Sequence, residues 1–269
     1  MIKVAHEAPL ALMEAVRNQT DYDYALVHLF EKEPKYLKFF QESLKMGRKV
    51  ILDNSIFELS KSFDKYKYRD WITTLCPTEY IIPDVLENSQ GTMDSAEDWH
   101  NTIIFNTAVP FIKKIGVVQG KTYEELVSCY AFLDCDLNVD KLAISFDYSY
   151  YLTVFPHPNK WVSYMMGRVM TLGRMFNEGV INKNKPHHLL GCAHPREFSF
   201  YAGPEFSWIE TLDTSSPVVH GLKNIEYDDR IGTWTKETLK IADSFYVFPT
   251  QEQSLTVLTN IIKFKKFLV

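Results

Sequence analysis

The sequence is short of several signals that mark specialised chains. Its four cysteines, Cys76, Cys129, Cys135 and Cys192, form no C-x-x-C pair, which predicts buried free thiols in a reducing compartment. No stretch reaches the roughly 18 uninterrupted apolar residues that span a bilayer, so no membrane segment is expected. The opening MIKVAHEAPLALMEAV has no basic leader, and His6 and Glu7 break its apolar run; it reads as the start of a cytoplasmic chain. Positive charge is scarce too: 29 Lys+Arg against 34 Asp+Glu leave a net charge of −5, which argues against a surface coated in positive potential for nucleic acid. There is no glycine-serine linker, low-complexity tract or composition break, so residues 1–269 read as a single domain.

What the chain has is regularity. Eight short apolar runs begin near Ile2, Tyr24, Val50, Tyr80, Ile115, Leu142, His188 and Trp208, and end in His6, His28, Asp53, Asp84, Gln119, Asp147, His194 and Asp213. Their mean spacing is about 30 residues, the length that one strand and one helix consume in a (β/α)8 barrel. Runs such as KVILDN, EYIIPD, KIGVVQG, KLAISFD and HLLGCAH are continuous rather than alternating, as parallel strands covered on both faces must be. The expected fold is α/β, a single (β/α)8 TIM barrel.

Between the runs lie segments of helical period, among them PKYLKFFQESLKMG, SFDKYKYRDWITTLC, SAEDWHNTIIFN and TYEELVSCYAFLD. Ser60 and Ser62 are expected to start the helix before Cys76, Asp94 or Ser95 the next, and Thr122 the one with Glu124 and Glu125 in its first turn. Gly47 and Pro77 read as helix stops. The longest connection, Tyr148 to Pro186, holds KWVSYMMGRVMTLGRMFNEG. Its Met165, Met166, Met170 and Met175 read as packing residues rather than a cofactor box, and no cofactor is expected. SLTVLTNIIKFKKFLV is the expected closing helix over the first strand.

In such a barrel the ligand sits at the carboxyl ends of the strands, so Asp53, Asp84, Gln119 and Asp213 are expected to share one rim. A lone Asp after a strand is usually a cap or turn residue; four polar ends on one rim shift the balance to a site. Such groups suit glycosyl chemistry, in which an ionised carboxylate attacks an anomeric carbon while a second carboxyl group manages protons. A carboxylate can also accept two parallel hydrogen bonds from the guanine edge, Gln119 offers an acceptor and a donor to the rest of the base, and Phe57 can stack on it. His6, Glu7 and His28 are candidate contacts to phosphate or sugar, or satisfy loop backbone groups. Asp147 assists or caps its loop, and His194 and Arg196 stand where barrels often hold a phosphate. His187, His188, Cys192 and His194 are close enough to suggest a metal set, with residues 188, 192 and 194 on one strand face; substrate binding is the preferred reading, and no metal is expected. Lys160, Arg168, Arg174, Lys183 and Lys185 are accompanied by the single acid Glu178 between Phe155 and His188. They form either a local basic patch for DNA or a solvated helix face.

The ordered motifs ILDNSIFEL, EYIIPDVLE, IGVVQG, KPHHLLGCAHP and WIETLDTSSP resemble the tRNA-guanine transglycosylase superfamily. The wider chain is similar to its compact phage-borne relatives, among which are enzymes that place 7-deazaguanine bases in DNA. The resemblance implies exchange of a guanine for a 7-deazaguanine-type base by double displacement, without a separate organic cofactor. It implies Asp213 as the nucleophile of a covalent glycosyl-enzyme intermediate and Asp53 as the second catalytic carboxylate. Asp84 and Gln119 correspond to base readers, Phe57 to the stacking partner and Leu190–Gly191 to the apolar strand beside the pocket. Asn54, Ser145 and His194 complete the expected substrate contacts, with the Ser145–Phe146 backbone in place of a glycine-rich turn. The chain departs from tRNA-acting relatives after Asp213, where TSSPVVHG lacks their arginine and no cysteine follows to build their zinc-binding module. Ser55–Ile56 replaces a glycine pair after Asp53, which should reshape the pocket.

Three functions stay open on the sequence. The first is a pentosyltransferase acting on guanine in a polynucleotide, with phage DNA as the expected substrate, which needs an unpaired or flipped base. The second keeps the pocket but takes a free nucleoside or nucleotide, as a ribosyltransferase or an N-glycoside hydrolase. The third is a catalytically silent barrel that binds a modified base or docks a partner protein. Copy number is not legible, and an oligomer is allowed.

Overall fold

A computed structural model of the chain describes residues 1–104, 112–237 and 240–268. Its strands are β1 (Lys3–Ala5), β2 (Asp23–Leu26), β3 (Val50–Asp53), β4 (Glu79–Ile81), β5 (Lys113–Val118), β6 (Lys141–Ser145), β7 (His187–Leu190) and β8 (Ile209–Asp213). They form one eight-stranded sheet in the order β1-β8-β7-β6-β5-β4-β3-β2. β1 runs parallel to β8, and each neighbouring pair from β2 to β6 is parallel. The fold is the (β/α)8 barrel that the spacing of apolar runs implies. All residues of β2 and β4 are buried, which is why such strands read as continuous apolar runs.

The chain divides into two compact units, each assembled from separated segments. Met1–Tyr22, Phe146–Asn177 and His188–Val269 form the first, and Asp23–Ser145 with Glu178–His187 the second.

In the first unit, the helix Gln251–Lys265 starts in a capping box made by Thr250 and Gln253 and buries Val257, Ile261 and Phe264. Val257 and Ile261 join Leu12, Val16, Val218 and Leu222 in one apolar cluster, and Phe264 meets the His6 ring edge-on, 5.5 Å between centroids. The expected closing helix is therefore present beside β1; its last expected residue, Val269, lies outside the described residues. Between β7 and β8 the chain turns through two 3-10 segments, Pro195–Tyr201 and Pro204–Phe206. A proline at the start of each, with Gly203 between them, interrupts a regular helical ladder.

In the second unit, Asp64 rather than Ser60 or Ser62 caps the helix Lys65–Leu75, accepting from the Tyr66 and Lys67 amides. Asn88 caps Ser89–Trp99, so Asp94 and Ser95 lie inside that helix instead of starting it. The last two residues of SAEDWHNTIIFN, Phe105 and Asn106, lie outside the described residues. Thr122 caps Tyr123–Ala131 through the Glu125 amide as expected. Gly47, at φ +77, and Pro77 follow the ends of Pro34–Lys45 and Lys65–Leu75. The cysteines depart from expectation: Cys129 and Cys192 are buried, but Cys76 and Cys135 are exposed, because the first occupies a left-handed helix cap and the second the outer side of the π-helical segment Phe132–Asp136, which buries only Leu133.

The sequence gives no sign of the ion pairs at the amino ends of this unit's strands. Buried Glu79 holds Lys141 at 2.8 Å and Lys49 at 2.6 Å, and Asp23 takes two hydrogen bonds from Arg48. Breaking a buried pair from one side costs about 3–5 kcal/mol. Glu79→Gln should therefore lower the unfolding free energy by about that amount in urea titrations; a loss under about 1 kcal/mol would show that the carboxylate is dispensable. No helix among the described residues is long and apolar enough to cross a membrane.

Candidate active site

Asp213 ends β8, in register with Ala5 of β1. A buried carboxylate needs donors, and Asp213 receives two on one oxygen. Oδ1 accepts from His188 Nε2 at 3.0 Å and from the Gly191 amide at 3.3 Å. His188 Nδ1 meets Thr211 Oγ1 at 2.9 Å. A carboxylate only accepts, so the imidazole proton is assigned to Nε2 and the Thr211 hydroxyl donates to Nδ1. Oδ2 receives no hydrogen bond from the described residues.

Gly191 is demanded at this turn on two grounds. Its φ is +64, and a Cβ there would lie 2.4 Å from the Phe146 ring. Behind the turn, Arg168 donates to the carbonyls of Leu190 and Gly191, both at 3.0 Å, and grips Glu197 in two prongs at 2.6 and 3.0 Å. The expected basic patch is thus corrected: Arg168 is wholly buried and paired with Glu197. Met165, Arg168, Leu172 and Met175 share the inward face of helix Lys160–Asn177, a periodicity that could have flagged it. Lys185 pairs with Asp134 at 2.7 Å, while Lys160, Arg174 and Lys183 are exposed.

Three further groups of the first unit belong to the loops after its strands. His6 donates from Nδ1 to the Thr214 carbonyl at 2.8 Å, which leaves Nε2 as a bare acceptor, and burial pushes its pKa down to about 4. His194 accepts the Arg196 amide on Nδ1 and packs against Trp234, ring centroids 5.0 Å apart. Burial also lowers His194 to about 4. Lys236, absent from any reading of the sequence, donates from Nζ to the Cys192 carbonyl at 2.7 Å and sits 4.2 Å from the centre of the Phe146 ring. Burial lowers its pKa, while Cys192, Asp147, Asp213 and Glu7 act in the opposite direction, so its ammonium feels the charge at Asp213. It lies in a loop without a motif, and only the folded chain reveals it.

The second unit builds its own polar set. Asp84, three residues past β4 and 1 % exposed, accepts from Asn54 Nδ2 on Oδ1 and from Gln119 Nε2 on Oδ2, both at 2.7 Å. Asn54 gives its other amide hydrogen to the Ile82 carbonyl at 3.1 Å and accepts from the Ile56 amide at 3.0 Å, so its side chain holds Asp84 in place. Gln119 accepts the Glu87 amide at 2.9 Å. Burial pushes the Asp84 carboxyl up to about 6, and the two amide hydrogen bonds pull it back only in part. Asp53 ends β3, its Oδ2 accepting from the Tyr24 hydroxyl at 2.7 Å and its Oδ1 from the Ser55 amide at 2.5 Å. Ser55, at φ +61, opens the short helix Ile56–Leu59, from which Phe57 is 44 % exposed. Ser145 ends β6, half-buried, and His28 is buried in the turn Val27–Phe30.

No family model matches the chain, and no curated protein matches it significantly.

The strand face proposed for a metal does not form. β7 stops at Leu190 and Gly191 turns left-handed, so Cys192 and His194 leave the register of His188. His187 stacks on Tyr130 and brings Nε2 to 2.9 Å from its hydroxyl. Among the described residues no three His, Cys, Asp or Glu side chains are grouped to hold a metal ion.

Proposed function

We propose that the chain is a pentosyltransferase that exchanges guanine for a 7-deazaguanine-type base in a polynucleotide, phage DNA in the first place, through a covalent Asp213–glycosyl intermediate. The observation that supports it most is the holding of Asp213, with two donors on Oδ1 and none from the described residues on Oδ2. A carboxylate fixed through one oxygen keeps lone pairs on the other for an anomeric carbon. In the first step Asp213 bonds to C1′ while the glycosidic pair departs with the base, whose ring nitrogen takes a proton from the Asp53 carboxyl. In the second, the incoming base gives its own ring-nitrogen proton to the Asp53 carboxylate as that nitrogen attacks C1′, and Asp213 leaves as a carboxylate. Two inversions give net retention. Asp53 is proposed as the second carboxylate, Asp84 and Gln119 as readers of the base, and Phe57 as its stacking surface. The resemblance of the strand-end motifs to guanine transglycosylases supports the same assignment.

The test is incubation with radiolabelled guanine and, separately, DNA, tRNA and nucleosides; label should enter a polynucleotide. The guanine edge offers N–H donors, so Asp84 reads it only when ionised. With its carboxyl raised to about 6, kcat/KM for exchange should rise with pH through about 6, about tenfold per unit on the acid limb. A profile flat from pH 5.5 to 7.5 would remove Asp84 from base recognition. The net charge of −5 favours a second reading, transfer or hydrolysis on a free nucleoside. Salt separates the two: polynucleotide affinity falls steeply with ionic strength, and nucleoside affinity hardly moves.

A further inference from the structure

The loops after β7 and β8 carry donors that no anion among the described residues satisfies. Lys236 is half-buried, yet its ammonium makes a single hydrogen bond, to the Cys192 carbonyl, and rests against the Phe146 ring. No carboxylate among the described residues lies within ion-pair distance of it. An ammonium carries three N–H donors, so two stay unused. His194 is fully buried, and its Nδ1 accepts the Arg196 amide, which assigns the ring proton to Nε2, where it meets no acceptor. Arg196 is exposed and makes no ion pair among the described residues. The Lys236 and His194 segments are held together. Trp234, two residues before Lys236, packs on the His194 ring, and Lys236 binds the carbonyl two residues before His194.

We propose that Lys236 Nζ, His194 Nε2 and the Arg196 guanidinium form a phosphate subsite that takes the phosphate attached to the sugar on which Asp213 acts. Two cations and an orphaned buried N–H belong to the connections following strands 7 and 8, where (β/α)8 barrels commonly hold phosphate. Lys236 also feels the charges of Asp213, Asp147 and Glu7, so its ammonium links the nucleophile electrostatically to the bound phosphate. The subsite makes the enzyme select a nucleotide unit over a bare nucleoside. Only the placement of the sugar rests on the pentosyl-transfer reading; phosphate binding is separable from it.

The test is binding of inorganic phosphate, of deoxyguanosine and of its 5′- and 3′-monophosphates, by phosphorus NMR line broadening and calorimetry. Wild type should bind one monophosphate at least about tenfold more tightly than deoxyguanosine, with inorganic phosphate competing. Lys236→Met should lose about tenfold for that monophosphate and leave deoxyguanosine unchanged, while Lys236→Arg restores most of the difference. Equal affinity of wild type for nucleoside and both monophosphates overturns the subsite, as does a folded Lys236→Met that binds the monophosphate as wild type does. Should Lys236→Met fail to fold, the wild-type ratio and His194→Phe decide, the latter with the same expected loss. Phosphate binding without any base exchange would sink the transferase reading and leave the subsite standing; base exchange without phosphate preference would do the reverse.

Discussion

Replacing Asp213 by asparagine is expected to abolish base exchange, with kcat reduced by about 10⁴-fold or more, as when a covalent catalyst loses its nucleophile. The substitution is close to isosteric, and an amide oxygen can still accept from His188 Nε2 and the Gly191 amide, so the fold should hold. A carboxamide is a poor nucleophile, and no bond to C1′ forms. Asp213→Ala is expected to be as inactive but also less stable. It strips the acceptor from His188 Nε2 and from the Gly191 amide, and an unsatisfied buried donor costs about 1–3 kcal/mol. The informative measurement is a denaturing gel of enzyme mixed with labelled DNA. Wild type should retain label covalently, and more of it when no incoming base is supplied; both variants should retain none. Full exchange activity in either variant would refute the nucleophile, whatever the resemblance of the motifs.

The parts of this chain visible in its sequence are those coded locally. A parallel strand is a short apolar run, and its carboxyl end is the first polar residue, so Asp53, Gln119 and Asp213 could be placed at or beside the ends of β3, β5 and β8 without coordinates. Asp84 falls three residues beyond β4 and His194 four beyond β7, because proline and glycine carry the chain away from the strand before the polar residue arrives. The invisible parts are coded by distant partners. Arg168 reads as one cation of a basic segment until Glu197, 29 residues away, closes on it in the interior. Lys236 has no pattern at all, since its placement depends on the Phe146 ring and the Cys192 carbonyl in two other loops. Asn54 is a similar case: its position beside Asp53 suggests a substrate contact, whereas its amide bridges Ile82 and Asp84. Two helix starts, at Asp64 and Asn88, differ from expectation for a simpler reason, while Thr122 caps as expected. Several Ser, Asp and Asn residues stand within one turn of each boundary, and the choice among Ser60, Ser62 and Asp64 is made by which side chain reaches the free amides.

Acid should destabilise this protein well above the pH at which an ordinary carboxylate is protonated, and the sign follows from three buried histidines. His6, His187 and His194 each have a pKa lowered to about 4 by burial, against about 6.5 in an unfolded chain. Between those values the unfolded state binds more protons, so the stability these residues allow is complete above pH 6.5 and is lost as pH falls toward 4. At pH 5 each unfavourable difference reaches about 2 kcal/mol, or about 6 kcal/mol for the three. His220, also lowered by burial, adds in the same direction. Asp84 opposes them: raised from 3.8 to about 6, it keeps its proton in the native state after the unfolded chain has released its own, which restores about 1.4 kcal/mol at pH 5. The histidines win. The net loss of about 4–5 kcal/mol is a large share of a domain's usual 5–15 kcal/mol, and the urea midpoint should drop by about 1–2 M between pH 7 and pH 5. The two pH effects overlap but have different signatures. Protonation of Asp84 reduces exchange near pH 6 with near-ultraviolet circular dichroism unchanged, whereas protonation of the histidines removes that signal together with activity. A urea midpoint independent of pH from 7 to 5 would mean that these imidazoles can take up protons without opening the fold.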